Sequence, residues 1–329
     1  MISQDLLTKE IDFLIEKFKL LLLIRKVELS IGLESKANSF KTPVHLAIGQ
    51  EAVAVGISEY LKTSDYVFGN HRSHAHYLAL GGSPQELISE ILGKKDGCSS
   101  GRGGSMHIKA PGKGFMGSMP IVAGTISLAV GAGLQIAKSS DQISLSYFGD
   151  GATEEGVFHE SLNFASKFSV PTLFVCENNL FSSHMHIEER QSNFEISRFA
   201  ASNGIKNFQV DGNDLLQVMD VAKEAISYIR SERKPAFIEA HTYRIFSHVG
   251  FDEDLEVGNH RLSDLEIWKK RDPIDILRDE ITSRFDNEFN WDEIDSIIDS
   301  QVENYWRIAK SAEYPPESDL FTGVYAEKI

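Results

Sequence analysis

The sequence predicts an α/β protein built on a doubly wound parallel sheet, with helical extensions at both ends. In the middle of the chain, short apolar segments alternate with helical patterns of 10–15 residues, which is typical of a parallel sheet covered on both faces. Apolar residues also recur at helical spacing in residues 5–31 and beyond Asp264. Without an internal repeat or a low-complexity linker, we expect one domain over residues 1–329, with a core at about 40–245 and an acidic helical tail at about 260–329.

The predicted elements follow the hydrophobic pattern in chain order. After the first helix, a second helical pattern in residues 44–61 begins near Gly49-Gln50-Glu51. Strands are predicted at residues 143–148, 171–176 and 236–243, and helices at 155–168 and 220–231.

Glycine dominates the segment before the first of these strands. Residues 97–117 contain seven glycines in 21 positions, which excludes a helix or the interior of a central strand. We expect a loop that is either mobile or closely packed against a neighbour. The small residues of 124–133 then predict a helix that lies close to the sheet or to a partner chain.

Composition excludes several classes of protein. The 329 residues are 42% hydrophobic, and the net charge of −15 lies mostly in residues 251–329, where 21 acidic residues face nine basic ones. Without a basic cluster, nucleic acid is not an expected partner. The densest aliphatic run, residues 20–24, is too short to span a membrane. Two cysteines and an opening without a signal sequence predict a cytoplasmic protein.

Two polar motifs stand where predicted neighbouring strands end. Gly149-Asp150-Gly151 follows one strand, and Glu177-Asn178-Asn179 follows the next. Ligands of parallel sheets bind beyond the carboxyl ends of the strands, and Mg²⁺ prefers carboxylate and amide oxygens together with phosphate. Taken alone, Gly149-Asp150-Gly151 is more typical of a turn, and Asn178-Asn179 of the start of a loop, than of a binding site. Together they predict a site for a metal and a phosphate.

This pair of motifs resembles the cofactor motif of thiamin-diphosphate enzymes. The resemblance extends to the alpha subunits of the heterotetrameric 2-oxoacid dehydrogenases, of the pyruvate, branched-chain and acetoin types, and covers about residues 10–275. The motifs similar to this family are Ala47-Ile48-Gly49-Gln50-Glu51-Ala52, Asn70-His71-Arg72-Ser73-His74, Gly101-Arg102-Gly103-Gly104-Ser105-Met106-His107 and Val210-Asp211-Gly212-Asn213-Asp214. The implied fold is the thiamin-diphosphate-binding type of doubly wound sheet.

The resemblance implies a set of site residues. Asp150, Asn179 and the backbone carbonyl of Phe181 would ligate Mg²⁺. The residues implied to contact thiamin diphosphate are His71, Arg72, Val122, Gly151, Ala152 and His248, together with Asp150 and Asn179 through the metal. His248 and His74 are the implied catalytic residues, with His74 near the entrance of the site.

Several histidines have alternative interpretations. His71, His74 and His76 form an H-x-x-H-x-H pattern that a zinc site also shows, although no cysteine or carboxylate nearby completes it. His184 and His186 depart from the family pattern and either face substrate or are exposed. Residues 245–262 depart from it too, which predicts a substrate or acceptor unlike that of a housekeeping pyruvate complex.

The resemblance also implies a partner chain. In the family, a glutamate of the beta subunit activates the aminopyrimidine ring, and this chain offers no convincing candidate for it. We therefore expect half an active site in a heterotetramer, catalysing oxidative decarboxylation and passing the acyl group to a lipoyl-bearing acyltransferase. The alternative is a two-chain carboligase or transketolase-like enzyme that transfers the two-carbon unit to an aldehyde.

Overall fold

The computed structural model describes residues 4–138, 141–255, 261–285 and 289–322. Its centre is a six-stranded parallel sheet with the strand order β2-β1-β3-β4-β8-β7. The strands of this sheet are β1 (Tyr66–Gly69), β2 (Phe115–Ser118), β3 (Ser144–Gly149), β4 (Thr172–Asn178), β7 (Lys206–Asp211) and β8 (Ala236–His241). A separate antiparallel hairpin consists of β5 (Phe181–Ser182) and β6 (Met185–His186). The predicted parallel α/β fold is confirmed.

The helices lie at both ends of the chain and between the strands. They are α1 (Gln4–Lys36), α2 (Glu51–Ser58), α3 (His74–Ala79), α4 (Pro84–Ile91), α5 (Gly124–Ile136), α6 (Gly156–Phe168), α7 (Ile187–Arg190), α8 (Ser197–Ser202), α9 (Leu215–Glu232), α10 (Arg261–Lys269), α11 (Pro273–Arg284) and α12 (Trp291–Ser311). Within the described ranges, no helix combines the length and apolar character that crossing a membrane requires.

Side chains that alternate along the central strands enter two different cores. Leu145 and Leu173 belong to a large buried cluster with α1, α2, α9, α11 and α12. Phe148 and Phe174 belong to a second cluster with α5, α6 and α8. Successive residues of a strand point to opposite faces, so helices cover both faces of the sheet, as in a doubly wound fold. This double burial explains why the residues of β4 from Leu173 to Cys176 are all apolar, and why even the serines of β3, Ser144 and Ser146, are buried.

The strands that carry the two polar motifs are neighbours. β3 pairs with β4 in parallel register, with Ser144 opposite Thr172 and Gly149 opposite Glu177. Both strands therefore end at the same edge of the sheet, which brings Asp150 and Asn179 to one place. This part of the prediction depended on strand adjacency, and the adjacency is confirmed.

The glycine-rich loop is held by one buried carboxylate. Glu90, at the end of α4, is fully buried and accepts hydrogen bonds from the backbone N–H groups of Ser99 (2.7 Å), Gly101 (2.8 Å), Gly103 (2.6 Å) and Gly104 (3.2 Å). A Cβ atom at Gly103 would lie 2.1 Å from the carbonyl oxygen of His107. Of the two interpretations of this loop, close packing is therefore the one that the structure supports.

Candidate active site

A cleft opens beyond the carboxyl ends of β1, β3 and β4. Its lining includes the predicted residues His71, Arg72, Val122, Asp150, Gly151, Ala152, Asn179, Phe181 and His248. These residues come from segments that are far apart in the chain, and the parallel sheet brings them together because its strands end at one edge.

Asp150 follows β3 directly and is buried. Its Oδ2 atom accepts a hydrogen bond from Arg190, whereas its Oδ1 atom is buried without a hydrogen-bond partner. Burial raises the pKa of Asp150 above its usual value, and the positive charge of Arg190 acts in the opposite direction. An unpartnered buried carboxylate oxygen is costly, so Oδ1 fits a site that is completed by a bound cation.

Asn179 follows β4 and is oriented by Gln50. The Nδ2 atom of Asn179 donates to Oε1 of Gln50 (3.0 Å), and its Oδ1 atom accepts from the backbone N–H of Phe181 (3.2 Å). Asn178 turns away, since its Nδ2 atom donates to Glu239 (2.8 Å) inside the protein. The amide oxygen of Asn179 thus lies on the cleft side, where a second acceptor lone pair remains for a metal.

The position after Asp150 is occupied by Gly151, where a side chain would not fit. A Cβ atom at Gly151 would lie 2.4 Å from Oγ and 2.8 Å from Cβ of Ser182 in the neighbouring hairpin. Gly151 and Ala152 line the cleft in the turn that follows β3, and the peptide N–H groups of such a turn can bind a diphosphate. Val122, on the opposite wall, is 48% exposed.

Arg72 gives the cleft a buried positive charge. Its Nη1 atom donates to the carbonyl oxygen of Leu46 (2.6 Å) and its Nη2 atom to that of His248 (3.2 Å). Burial lowers the pKa of Arg72 to about 10 although Glu28 and Glu177 oppose this shift. A guanidinium whose hydrogen bonds go to neutral carbonyl groups retains its attraction for an anion, and a planar fork suits diphosphate oxygens.

Three histidine rings meet beside Arg72. The ring centroids of His45, His71 and His248 lie 4.8 to 5.3 Å apart. Burial, followed by the charge of Arg72, lowers the pKa of His45 to about 3, of His71 to about 2 and of His248 to about 4. All three imidazoles are therefore neutral at pH 7 and able to donate a hydrogen bond.

The three rings are also close enough together for their nitrogens to bind a single metal ion. Their ligand nitrogens lie within 4.8 Å of one another. The adjacent Arg72 opposes a cation and favours an anion, so the electrostatics of the cluster fit a phosphate group better than a transition metal.

The structure corrects the expectation for His74. Its ring is fully buried outside the cleft, where Nδ1 contacts Oε2 of Glu28 (3.1 Å) and Nε2 contacts Oγ of Ser105 (2.9 Å). The side chain joins α1 to the glycine-rich loop and does not lie at the entrance of the site.

The zinc alternative is not supported either. His76 stacks on Tyr147 and its Nε2 atom contacts Glu177 (3.2 Å). His71 faces the cleft and His74 contacts Glu28, so the three rings have different surroundings.

The hairpin histidines occupy unlike positions. The His184 side chain is 61% exposed and its Nε2 atom lies 3.6 Å from Asp254. His186 is buried against the ring of Phe181, which corrects the expectation that it is exposed or faces substrate. Of the divergent segment 245–262, residues 256–260 lie outside the described residues; Phe246 and Phe251 stack on each other at 4.3 Å.

Sequence reasoning missed three contributors to the site. His45 and Gln50 line the cleft, and Arg190 holds Asp150. Gln50 lies within the family-like motif that begins at Ala47, and His45 stands two residues before that motif. The motif could therefore have pointed to both residues. No sequence signal marked Arg190, whose partner is 40 residues away.

Comparison with known proteins adds an independent observation. The family model described as "Dehydrogenase E1 component" matches residues 19–318. The subunit alpha of acetoin:2,6-dichlorophenolindophenol oxidoreductase from Bacillus subtilis (strain 168) is 34% identical over 284 residues, covering 86% of this chain and 84% of that protein. Subunits alpha of the pyruvate dehydrogenase E1 component are similar as well: that of Rhizobium meliloti (strain 1021) is 34% identical over 317 residues (94% of this chain, 89% of that protein), and that of Porphyra purpurea is 36% identical over 296 residues (86% and 84%).

Proposed function

The chain belongs to the dehydrogenase E1 component family, and on that premise we propose that it is the thiamin-diphosphate- and Mg²⁺-binding alpha subunit of a 2-oxoacid dehydrogenase. The observation that carries this proposal is the buried, unpartnered Oδ1 atom of Asp150 in a cleft that also contains Asn179 and Arg72. A carboxylate oxygen without a partner fits a metal, and a buried guanidinium in the same cleft fits the diphosphate that shares that metal.

Each residue of the cleft has a proposed role. Asp150, the amide oxygen of Asn179 and the carbonyl of Phe181 hold Mg²⁺. The peptide N–H groups of Gly151 and Ala152, the guanidinium of Arg72 and the rings of His71 and His248 hold the diphosphate. The main chain at Val122 contacts the aminopyrimidine, and we add His45 as a further hydrogen-bond donor to the diphosphate.

The cofactor supplies, when bound, a nucleophilic carbon that adds to a 2-oxo group and accepts the electron pair left by carbon dioxide. The residues of this chain bind and orient the reactants and remain at constant charge near pH 7. His248 is neutral at pH 7 because burial and Arg72 lower its pKa to about 4, so its ring is able to donate or accept a hydrogen bond without changing charge near neutrality. Val122 and Met106 also line the cleft.

A beta subunit is required to complete the site. The described residues that line the cleft include two carboxylates, Asp150 and Glu177. Asp150 is assigned to the metal, and Glu177 already contacts His76. We infer that the glutamate that activates the aminopyrimidine comes from that subunit. Exposed apolar side chains at the rim of the cleft and along the two helices that begin beside it support an interface, namely Ile121 (68% exposed), Leu128 and Leu134 of α5, and Phe164 and Phe168 of α6.

The proposed assembly is a heterotetramer in the cytoplasm that passes the acyl group to a lipoyl-bearing acyltransferase. The relatives are named as pyruvate dehydrogenase and acetoin oxidoreductase subunits, which supports a pyruvate-like or acetoin-like substrate. The carboligase alternative is not favoured by these names.

The test combines binding and turnover in the two-chain complex. The chain is co-expressed with its beta subunit, thiamin diphosphate binding with Mg²⁺ is followed by calorimetry, and 2-oxoacid-dependent reduction of an artificial electron acceptor is assayed. We expect both signals in the wild type and in Asp279→Ala, an exposed aspartate of α11, and neither in Asp150→Ala. Binding without oxidative turnover would favour the carboligase, and no binding by the wild-type complex would reject the proposal.

A further inference from the structure

We infer that Arg190 is an internal counter-ion that makes metal binding at Asp150 dependent on the diphosphate of the cofactor. The inference rests on the proposed function, because it takes Asp150 and Asn179 as the metal ligands. It adds a residue, Arg190, that controls when the metal binds.

The contacts of Arg190 fix its guanidinium on the metal carboxylate. Arg190 ends α7, and its side chain is only 5% exposed. Its Nη2 atom donates to Oδ2 of Asp150 and its Nη1 atom to Oε1 of Glu154, while Nε donates to the carbonyl oxygen of Met185 (3.1 Å). All of its nitrogens are therefore engaged, and the guanidinium is held against the turn that follows β3.

The two oxygens of Asp150 have different environments. Arg190 occupies Oδ2, and Oδ1 is buried with no hydrogen-bond partner. A cation at Oδ1 would therefore share its carboxylate with a cation that is already present. Arg190 need not be displaced for this, but it weakens the attraction that Asp150 exerts on a metal.

The charge of the proposed ligand set explains the consequence. Asp150 contributes one negative charge, whereas Asn179 and the carbonyl of Phe181 are neutral. Because Arg190 pairs with both Asp150 and Glu154, its positive charge offsets part of the single negative charge that the ligands offer to a divalent ion, and burial leaves the repulsion between the two cations poorly screened. The negative charge that Mg²⁺ requires must then come from the diphosphate, so metal and cofactor bind together.

The experiment measures metal affinity directly, with Mn²⁺ as the probe. Free Mn²⁺ is titrated by electron paramagnetic resonance into the complex of this chain with its beta subunit, with and without thiamin diphosphate. We expect Arg190→Gln, which keeps an amide donor but loses the charge, to bind Mn²⁺ about tenfold more tightly or better than wild type without cofactor. Arg190→Lys keeps the charge and should retain wild-type affinity, and Arg198→Gln on the adjacent α8 serves as a control.

A second variant, Glu154→Gln, should change the affinity for Mn²⁺ in the opposite direction. The side chain of Glu154 is 37% exposed and neutralises part of the charge of Arg190, so Glu154→Gln should bind Mn²⁺ more weakly than wild type without cofactor. This partly exposed position tests the inference even if Arg190→Gln does not fold. Wild-type or weaker Mn²⁺ affinity in folded Arg190→Gln, or unchanged affinity in Glu154→Gln, overturns the role of Arg190.

Asp150→Ala separates this inference from the proposed function. It should abolish Mn²⁺ binding even with thiamin diphosphate present. If Asp150→Ala binds as wild type does, the metal site itself is wrong. If it loses binding while Arg190→Gln behaves as wild type, the metal site stands and only the role of Arg190 fails.

Discussion

At the scale of single residues, the cleft contains neutral imidazoles next to a buried guanidinium whose hydrogen bonds go to neutral carbonyl groups. His45, His71 and His248 have pKa values of about 3, 2 and 4 because they are buried beside Arg72. Such rings donate hydrogen bonds to an anion without changing charge near pH 7, so these histidines should add no pH dependence to diphosphate binding between about pH 6 and 8.

The same pKa values predict how stability depends on pH. A histidine whose pKa is lower in the folded protein than the usual 6.5 binds its proton more readily when unfolded. Stability is therefore complete above pH 6.5 and falls as the pH decreases towards 4, by about 1.4 kcal/mol per pH unit for each such histidine. Urea unfolding from pH 7 to pH 4 should show a smaller slope for His45→Gln than for wild type. His159→Gln, a change at an exposed ring, should keep the wild-type slope, and an unchanged slope in His45→Gln would contradict this account.

A side chain at position 151 should cause a steric clash that a second substitution, at Ser182, relieves. A Cβ atom there would lie 2.4 Å from Oγ of Ser182, so Gly151→Ala should displace the diphosphate-binding turn and weaken thiamin diphosphate binding by about tenfold or more. The double variant Gly151→Ala with Ser182→Gly removes the colliding atoms and should recover most of the affinity measured by calorimetry. If the double variant binds as poorly as the single one, the contact with Ser182 is not the cause.

At the scale of elements, sequence reasoning succeeded where the information is local. The apolar runs of β3 and β4 and the polar residues that follow them are contiguous in the chain, so the sequence predicted both the strands and the edge where Asp150 and Asn179 meet. It misplaced His74 because the partners that bury this ring, Glu28 and Ser105, are 46 and 31 residues away. Tertiary contacts of this kind leave no pattern in the neighbouring residues.

The glycine-rich loop depends on Glu90. Removal of this carboxylate leaves four backbone N–H groups without their acceptor, so Glu90→Ala should lower the free energy of unfolding by about 3 kcal/mol or more. Hydrogen exchange of residues 99–104 should become faster. Glu86→Gln, an exposed glutamate on the same helix, is the control and should change neither quantity. Equal stability of Glu90→Ala and wild type would show that the loop is held by other contacts.

At the scale of the whole molecule, α5 and α6, which begin beside the cleft, carry exposed apolar side chains that form a surface along the two helices. The rings of Phe164 and Phe168 contact each other with their centroids 4.5 Å apart, and the two residues are 40% and 55% exposed. The sequence predicted a close-packed helix at 124–133 but not these phenylalanines, because the helical period of α6 does not reveal which apolar residues lack a partner within the chain.

This surface predicts a defect in assembly. Phe168→Glu should weaken association with the beta subunit, because a charge would be buried in an apolar contact. The change is read from the molar mass of the co-expressed complex by light scattering. Ile297→Glu, on the exposed side of α12, should assemble normally. Normal assembly of Phe168→Glu would place the interface elsewhere.

The most direct test of the central claim is to locate the metal. Crystals of the two-chain complex with thiamin diphosphate and Mn²⁺ would show the ion by its anomalous scattering. The account predicts one peak at ligand distance, roughly 2.1 Å, from an oxygen of Asp150, Oδ1 of Asn179 and the carbonyl oxygen of Phe181. A peak among His45, His71 and His248, or no peak in the cleft, would contradict it.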